Sequence, residues 1–207
     1  MSRLSSLDQL IDGAPLVRQA EAVLPTPYGD FRMIAYSSEQ GEYAPHLALA
    51  HPDLDPTSDV VVRLHSECIT GDLFGSQRCD CGAQLNFALR TAAEQRGVVL
   101  YLRQEGRGIG IINKLKAYQL QDKGMDTIEA NLHLGLEIDA RHYDTAQQML
   151  LDLAIEKIQL LTNNPEKIHA FDDGPIQLIR RLPIIIDANE DNAAYLETKR
   201  KDMGHLL

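Results

Sequence analysis

The chain has 207 residues, of which 44% are hydrophobic, and its formal net charge is -10. This length and composition allow a packed core of one domain or of two compact subdomains. No apolar run is long enough to span a membrane, and the first residues lack the continuous apolar segment of a secretory signal, so we expect a cytoplasmic protein. The acidic balance argues against general nucleic-acid binding, which needs a basic surface.

Positive charge is concentrated in one part of the chain. Residues 60–120 contain eight Lys and Arg residues and five Asp and Glu residues, whereas the rest of the chain is strongly acidic. All three cysteines lie in this basic stretch. The distribution favours an anionic small molecule bound in a pocket over a polymer bound across a surface.

The first third of the chain is predicted to form strands. Residues 1–20 have no clear pattern, and we expect a short helical or loose extension there. Turn residues followed by a strand-like run predict a hairpin over 24–36. Residues 46–59 indicate a strand and then a polar loop with two prolines, and the β-branched run 59–65 indicates a further strand.

Helices and strands alternate through the remainder of the chain. Periodicity and end signals predict helices over 83–97, 109–124, 145–155, 165–171 and 192–203. Strands are predicted over 97–104, 155–162 and 176–186. This order indicates an α/β or mixed α+β fold, in which helices flank a mixed β-sheet and the N-terminal strands pair antiparallel.

The three cysteines are candidate metal ligands. Cys68, Cys79 and Cys81 have the spacing Cys-x10-Cys-x-Cys, and an odd number of thiols in a chain without a secretion signal argues against a disulfide framework. Thiolates are strong zinc ligands, and three protein ligands leave one position open for a water whose pKa falls to about 7. Two alternatives remain: three buried thiols without a metal, or a closed structural site with His65 as the fourth ligand.

Two further segments are candidates for binding phosphate. In RQEGRGIG (103–110), the glycines allow close backbone approach, and Arg103 and Arg107 supply guanidinium forks that match phosphate oxygens. In LLTNNPEK (160–167), a strand is followed by a helix whose free N–H groups attract anions, and Lys167 adds charge. The alternatives are a turn that merely requires glycine and a helix that is merely well capped.

Asp139 and Arg141 lie two positions apart within GLEIDARHYD (135–144). In an extended segment both side chains would project to the same side. Such a pair is usually a surface ion pair of small energetic value. Only proximity to the other candidate residues would give it a chemical role.

Together these motifs resemble GTP cyclohydrolase II. The resemblance extends from residue 24 to residue 207, which is nearly the whole chain. It is carried, in order, by RLHSECITGD (63–72), RCDCGAQL (78–85), LRQEGRGIGIINKLKAYQLQDKG (102–124), DTIEAN (126–131), LLTNNPEK (160–167), and YLETK with MGHLL (195–207).

The resemblance implies a reaction, its metals and its assembly. Water would be added at C8 of GTP, formate and pyrophosphate would be released, and the product would be 2,5-diamino-6-ribosylamino-4(3H)-pyrimidinone 5′-phosphate, at the start of riboflavin biosynthesis. One zinc ion per chain and magnesium with the GTP phosphates are the implied cofactors. A homodimer is implied, without nucleic-acid or membrane partners. Residues 21–207 would form one catalytic domain after an extension of residues 1–20.

The resemblance also implies roles for individual residues at matching positions. The implied zinc ligands are Cys68, Cys79 and Cys81. The implied GTP contacts are Arg63, Leu64, His65, Ser66, Glu67, Gln84, Glu105, Gly106, Arg107, Thr127, Thr162 and Lys167. The implied catalytic residues are Asp139 as proton acceptor, Arg141 as nucleophile, and Tyr118 near the reacting ring. A guanidinium is a poor nucleophile, so a phosphate clamp is an alternative role for Arg141, and Glu67 and Glu105 could hold guanine edges or magnesium.

Two other classes of function remain open. A related enzyme could open the ring without losing formate, or could act on another nucleotide, although the presence of Tyr118 argues against early stopping. A non-catalytic zinc- or nucleotide-binding module would be expected to lack a thiol, Asp139 or Arg141. Because 20 N-terminal residues cannot contain the second synthase domain that often precedes this domain in the family, we expect a monofunctional protein.

Overall fold

The computed structural model describes residues 15–38, 42–137, 139–190, 192–202 and 204–206. Most of the predicted N-terminal extension lies outside the described residues. Its last four residues belong to the first strand, which begins at Val17. No helix in the described ranges has the length and apolar character needed to cross a membrane.

Seven strands form a single mixed sheet. They are β1 (Val17–Thr26), β2 (Gly29–Ser37), β3 (His46–Ala50), β4 (Val60–Ser66), β5 (Val98–Leu102), β6 (Lys157–Leu161) and β7 (Gln177–Leu182). Their order across the sheet is β1-β2-β3-β5-β4-β6-β7. The pairs from β1 to β5 are antiparallel, and those from β5 to β7 are parallel. The predicted mixed sheet with antiparallel N-terminal strands is confirmed.

Helices flank this sheet. They are α1 (Ile69–Asp72), α2 (Cys81–Glu94), α3 (Gly110–Gln121), α4 (Thr127–His133), α5 (Asp144–Asp152), α6 (Pro165–His169) and α7 (Ala193–Asp202). The helices that the sequence predicts are all found, with ends that differ by a few residues. Helices α1 and α4 were not predicted. Helix α4 carries a sequence signal that could have revealed it, because Asp126 and Glu129 form a capping box at its start.

The two faces of the sheet are covered by different helices. In β5, Val98, Leu100 and Leu102 face the core with α5, whereas Val99 faces the core with α2. This alternation follows from the two-residue period of a strand. Strand β4 is buried along nearly its whole length, as expected for a central parallel strand that is covered on both faces.

The parallel block of the sheet brings the candidate segments together. Strands β4, β5 and β6 run in the same direction, so their carboxyl ends lie at one edge. Cys68 follows β4, the glycine-rich segment follows β5, and Thr162 follows β6. Ligands of open α/β sheets bind outside this edge.

Candidate active site

A cavity of about 620 Å³ lies at the carboxyl ends of the parallel strands. All of the site residues that the family resemblance implies line it except Leu64 and Asp139. The Leu64 side chain is buried in the core, and its carbonyl oxygen accepts a hydrogen bond from Lys167 Nζ at 2.8 Å. Asp139 is bound to Arg141, which lines the cavity. These two residues therefore contact the cavity only through their neighbours.

The three cysteines converge in the cavity wall. Their sulfur atoms all lie within 4.8 Å of one another, and Cys68 Sγ is 3.7 Å from Cys79 Sγ. Two thiolates of a tetrahedral zinc site with bonds near 2.3 Å have sulfurs separated by about 3.8 Å. The Cys68–Cys79 separation matches this value, and the sulfur of Cys81 lies within 4.8 Å of both.

Two glycines that sequence reasoning did not assign to the site allow this convergence. A Cβ atom at Gly71 would lie 2.9 Å from Cys79 Sγ and 3.3 Å from Cys68 Sγ. A Cβ atom at Gly82 would lie 2.4 Å from the carbonyl oxygen of Gly71. Helices α1 and α2 can approach closely enough for the three cysteines to meet only because both positions lack a side chain. The sequence signal that could have assigned Gly71 and Gly82 to the site is their position close to the cysteines.

Asp72, also missed by sequence reasoning, organises the loop that carries Cys68. Its carboxylate accepts hydrogen bonds from the backbone N–H of Cys68 at 2.9 Å and from the Tyr101 hydroxyl at 3.0 Å. It also lies 3.0 Å from Nε2 of His65. Burial lowers the pKa of His65, although Asp72 acts in the opposite direction. In the described chain the potential metal group comprises the cysteines alone, so the arrangement favours an open three-thiol site over one closed by His65.

The contacts of Cys68 favour its thiolate form. Hydrogen bonds from Cys79 and Cys81, together with the charge of Lys114, lower the pKa of Cys68. The same Cys68–Cys79 hydrogen bond raises the pKa of Cys79. Lys114 Nζ lies 3.1 Å from Cys68 Sγ, and it was not among the predicted site residues.

The two glutamates of the site are held by cations and by backbone amides. Glu105 Oε1 accepts from Lys114 Nζ at 2.9 Å, and its Oε2 accepts from the N–H of Ile69 at 2.6 Å. Glu67 Oε1 lies 3.0 Å from Arg103 Nη1, and burial raises the pKa of Glu67. Arg103 does not line the cavity, which differs from the phosphate role predicted for its fork.

The glycine-rich segment adopts an unusual backbone. Gly106 and Arg107 both have φ values of 62°, in the left-handed region that non-glycine residues seldom occupy. Arg107 Nη1 is buried and has no hydrogen-bond partner within the described chain. Strain and an unpartnered guanidinium nitrogen together indicate a functional segment.

The segment after β6 forms the capped helix start that the sequence predicts. Asn164 Oδ1 accepts from the N–H of Glu166, and Pro165 occupies the first helical position of α6. Thr162 Oγ1 accepts from the N–H of Asn164 at 3.0 Å. Lys167 is buried and lines the cavity beside this turn.

Two arginines approach the cavity from different elements. Arg63 donates from Nη2 to Gln84 Oε1 at 2.7 Å and from Nη1 to the carbonyl oxygen of Leu161 at 3.0 Å, and burial lowers its pKa to about 10. Arg141 donates from Nε to Asp139 Oδ1 at 2.8 Å and from Nη2 to Oδ2. With Arg107 and Lys167 they contribute four cationic groups to the lining, which suits an anionic ligand.

Tyr118 lies on α3 in the lining of the same cavity. The Arg78 guanidinium lies 4.9 Å from the centre of its ring, and Arg78 also forms an ion pair with Asp122 at 2.5 Å. Burial raises the pKa of Tyr118, so the phenol stays protonated at neutral pH and can donate a hydrogen bond. Arg78, Asn163, Thr198 and His205 also line the cavity and were not predicted.

Comparisons with a family model and with individual known proteins agree on one family. A sequence model described as GTP cyclohydrolase II matches residues 17–183. A riboflavin biosynthesis protein RibBA of Salinispora tropica is 53% identical over 91% of this chain and 47% of its own length. RibBA proteins of Bacillus cereus and Chlorobium phaeovibrioides are 48% and 49% identical, over 93% and 92% of this chain and 48% and 46% of their own lengths. The chain thus spans about half the length of the curated relatives it matches.

Proposed function

This chain belongs to the GTP cyclohydrolase II family, and on that premise we propose that it hydrolyses GTP at C8 of the purine. Formate and pyrophosphate leave, and 2,5-diamino-6-ribosylamino-4(3H)-pyrimidinone 5′-phosphate is the product, as the first step of riboflavin biosynthesis. The observation that carries the proposal is the meeting of three thiols with the basic side chains of Arg63, Arg107, Arg141 and Lys167 around one cavity. This combination provides a metal site beside a site for phosphates.

Cys68, Cys79 and Cys81 would hold one zinc ion. Zinc supplies Lewis-acid activation of water at neutral pH, which hydrolysis at the poorly electrophilic C8 carbon requires. The protein contributes the orientation of the ligands. Asp72 fixes the backbone of Cys68, and Gly71 leaves room for the sulfurs of Cys68 and Cys79 and for the Cβ atom of Cys81.

Basic side chains would bind the triphosphate, with magnesium bound to its oxygens. Arg107, Arg141 and Lys167 line the cavity, and each can donate hydrogen bonds to phosphate oxygens. Guanine and ribose contacts would come from the remaining lining residues of the family motif, including Gln84 and Thr127. An amide such as Gln84 can both donate to and accept from a base edge.

We assign Arg141 to clamp the α-phosphate, and Asp139 to orient it. The fork of Arg141 is held by both oxygens of Asp139, and Arg141 Nη1 lies 3.4 Å from Ser66 Oγ. A carboxylate partner stabilises the charged guanidinium, so attack by its nitrogen on phosphorus becomes harder. The same partner presents the remaining N–H groups to charge that develops on the phosphate. Asp139 itself does not line the cavity, so its contacts support the orientation of Arg141 rather than direct proton transfer.

Tyr118 would donate a proton or a hydrogen bond during ring opening. Loss of formate breaks two carbon–nitrogen bonds, and the departing nitrogens must be protonated. The protonated phenol in the lining can supply a proton, and the nearby cations Arg78 and Lys114 can stabilise the resulting phenolate.

Assembly, location and domain organisation follow the family in this proposal. We propose a cytoplasmic homodimer in which residues 21–207 form the catalytic domain. Sedimentation of the purified chain checks the assembly, since a monomer at micromolar concentration would contradict it.

A mass balance tests the reaction. The purified chain is incubated with GTP and magnesium, and formate, pyrophosphate and the nucleotide product are each quantified. We expect equal amounts of formate and pyrophosphate with a diaminopyrimidine product. Pyrophosphate without formate would indicate an enzyme that stops before the second bond is broken. Unchanged GTP with zinc bound would contradict the proposed substrate.

A further inference from the structure

Lys114 is a buried cation held against the thiol cluster by three hydrogen bonds. Its Nζ atom lies 3.1 Å from Cys68 Sγ, 2.9 Å from Thr70 Oγ1 and 2.9 Å from Glu105 Oε1. The side chain is only 11% exposed. Since an ammonium group has three N–H donors, these contacts use all of them and fix its position beside the sulfur.

Glu105 anchors both the ammonium and the backbone next to Cys68. Its Oε1 also accepts from the N–H of Gly106 at 2.7 Å, and its Oε2 accepts from the N–H of Ile69 at 2.6 Å. Ile69 directly follows Cys68 in the chain. A single carboxylate therefore sets the distance between Lys114 and the loop that carries Cys68.

Charge balance explains why a cation such as Lys114 would lie beside the three thiols. Three thiolates around a divalent cation have a net charge of -1, and an uncompensated charge in a largely buried site is costly. An ammonium in hydrogen-bond contact with one sulfur offsets that charge and orients the sulfur. Groups that hydrogen-bond to metal ligands in this way commonly tune metal affinity.

We propose that Lys114 is a positioning residue for the metal: it neutralises the excess charge of the three-thiolate site and fixes the orientation of Cys68. The motif resemblance gives Lys114 no role. The inference rests on the metal site of the proposed function, but it does not require that GTP be the substrate.

The test compares zinc affinities of Lys114→Met and the wild-type chain by competition with a chelator of known affinity. We expect the substitution to weaken zinc binding by about 10- to 100-fold, as for other groups that hydrogen-bond to metal ligands. The matched control is Lys116→Met, because Lys116 is exposed on the same helix and does not line the cavity. Its zinc affinity should equal that of the wild type. Should Lys114→Met fail to fold, Lys114→Gln removes the same charge and is expected to show the same loss.

A double variant distinguishes two causes of weaker zinc binding: loss of the contact between Lys114 and Cys68, and loss of the cation that pairs with Glu105. Lys114→Met leaves the Glu105 carboxylate without its cation, which could disturb the loop indirectly. In Glu105→Gln with Lys114→Met no such carboxylate remains, and the amide oxygen can still accept a backbone hydrogen bond. We expect this double variant to bind zinc as weakly as Lys114→Met.

Cobalt(II) provides a second readout on the same proteins. Its sulfur-to-metal charge-transfer bands report the sulfur ligands, and we expect them to shift in Lys114→Met but not in Lys116→Met. Wild-type zinc affinity in Lys114→Met, or recovery of affinity in the double variant, would overturn the inference. Because no measurement uses GTP, failure of the proposed reaction in the mass balance would leave this result interpretable.

Discussion

The two halves of the sheet differ in what their strand ends carry. The antiparallel block β1–β3 is joined by short local connections, and in the described ranges none of its residues lines the cavity. The parallel block β5-β4-β6-β7 supplies the cavity lining from the carboxyl end of β4 and from the loops and helices that follow its strands. Parallel strands bring the starts of several long connections to one edge, whereas antiparallel hairpins send successive loops to opposite edges.

We therefore expect the parallel block to bind the ligands and the antiparallel block to contribute mainly to the stability of the fold. The antiparallel block buries Ile34 and Phe31 in the two cores on opposite faces of the sheet, and so supports the parallel block without contacting a ligand. Substitutions in the parallel edge should alter metal or phosphate binding, whereas substitutions in the antiparallel block should alter the free energy of unfolding.

The largest expected effect on turnover comes from Arg141→Lys. Lysine keeps the charge but cannot form the paired hydrogen bonds of the guanidinium, so we expect formate release to fall by at least about 100-fold. Initial rates at saturating GTP measure the effect. Near-normal turnover would refute both the clamp and the nucleophile roles.

Arg18→Lys is the matched control in the antiparallel block. Arg18 also directs its fork at a carboxylate, with Nε 3.0 Å and Nη2 2.6 Å from Asp152 Oδ2. The change should leave turnover within about twofold of wild type, because a partly exposed ion pair contributes little. An equal loss of turnover in Arg141→Lys and Arg18→Lys would contradict the proposed difference between the two halves of the sheet.

Ile34→Ala should destabilise the fold without altering the metal site. Ile34 is fully buried in β2, and truncation of such a side chain costs about 2–5 kcal/mol. Chemical denaturation of the metal-free chain measures this cost, and zinc affinity should remain at the wild-type value. Val23→Ala, at an exposed position of β1, serves as the control and should change both quantities little. Weakened zinc binding in Ile34→Ala under native conditions would contradict the expectation that the antiparallel block affects stability but not the metal site.

The smallest expected effect is a pH dependence from Asp139. Burial acts to raise its pKa, but the hydrogen bonds and charge of Arg141 outweigh burial and hold the pKa below the usual 3.8. A depressed folded-state pKa contributes stability above the unfolded-state value, and this contribution disappears as the pH falls through the lower folded-state value. The difference in unfolding free energy between wild type and Asp139→Asn should therefore shrink below about pH 4. A constant difference across the acid range would show that the pair is not coupled to folding.

Much of the fold and the outline of the site could be predicted from the sequence. Strand patterns and helix caps are local signals, and they correctly predicted the turn and second strand of the β1–β2 hairpin and the capped start of α6. Most of β1 lies before the predicted hairpin. The clustering of thiols predicted that Cys68, Cys79 and Cys81 would meet. This prediction used only the spacing of the three cysteines and no information from the rest of the chain.

Partners distant in sequence could not be predicted in this way. Lys114 lies 46 positions from Cys68, and Asp72 lies 29 positions from Tyr101. Arg103 resembled a phosphate ligand by composition, but the position of Glu67 determines where its fork is directed. Pairings of this kind depend on strand order, which the local pattern does not specify.

Zinc titration of metal-free protein with formate release as the readout tests the central claim most directly. We predict no turnover without metal and a linear rise that ends at one zinc per chain, with Cys79→Ser remaining inactive at the same zinc concentrations. Full formate release by metal-free protein, or by Cys79→Ser at stoichiometric zinc, would contradict the claim that the three thiols hold a metal that acts on GTP.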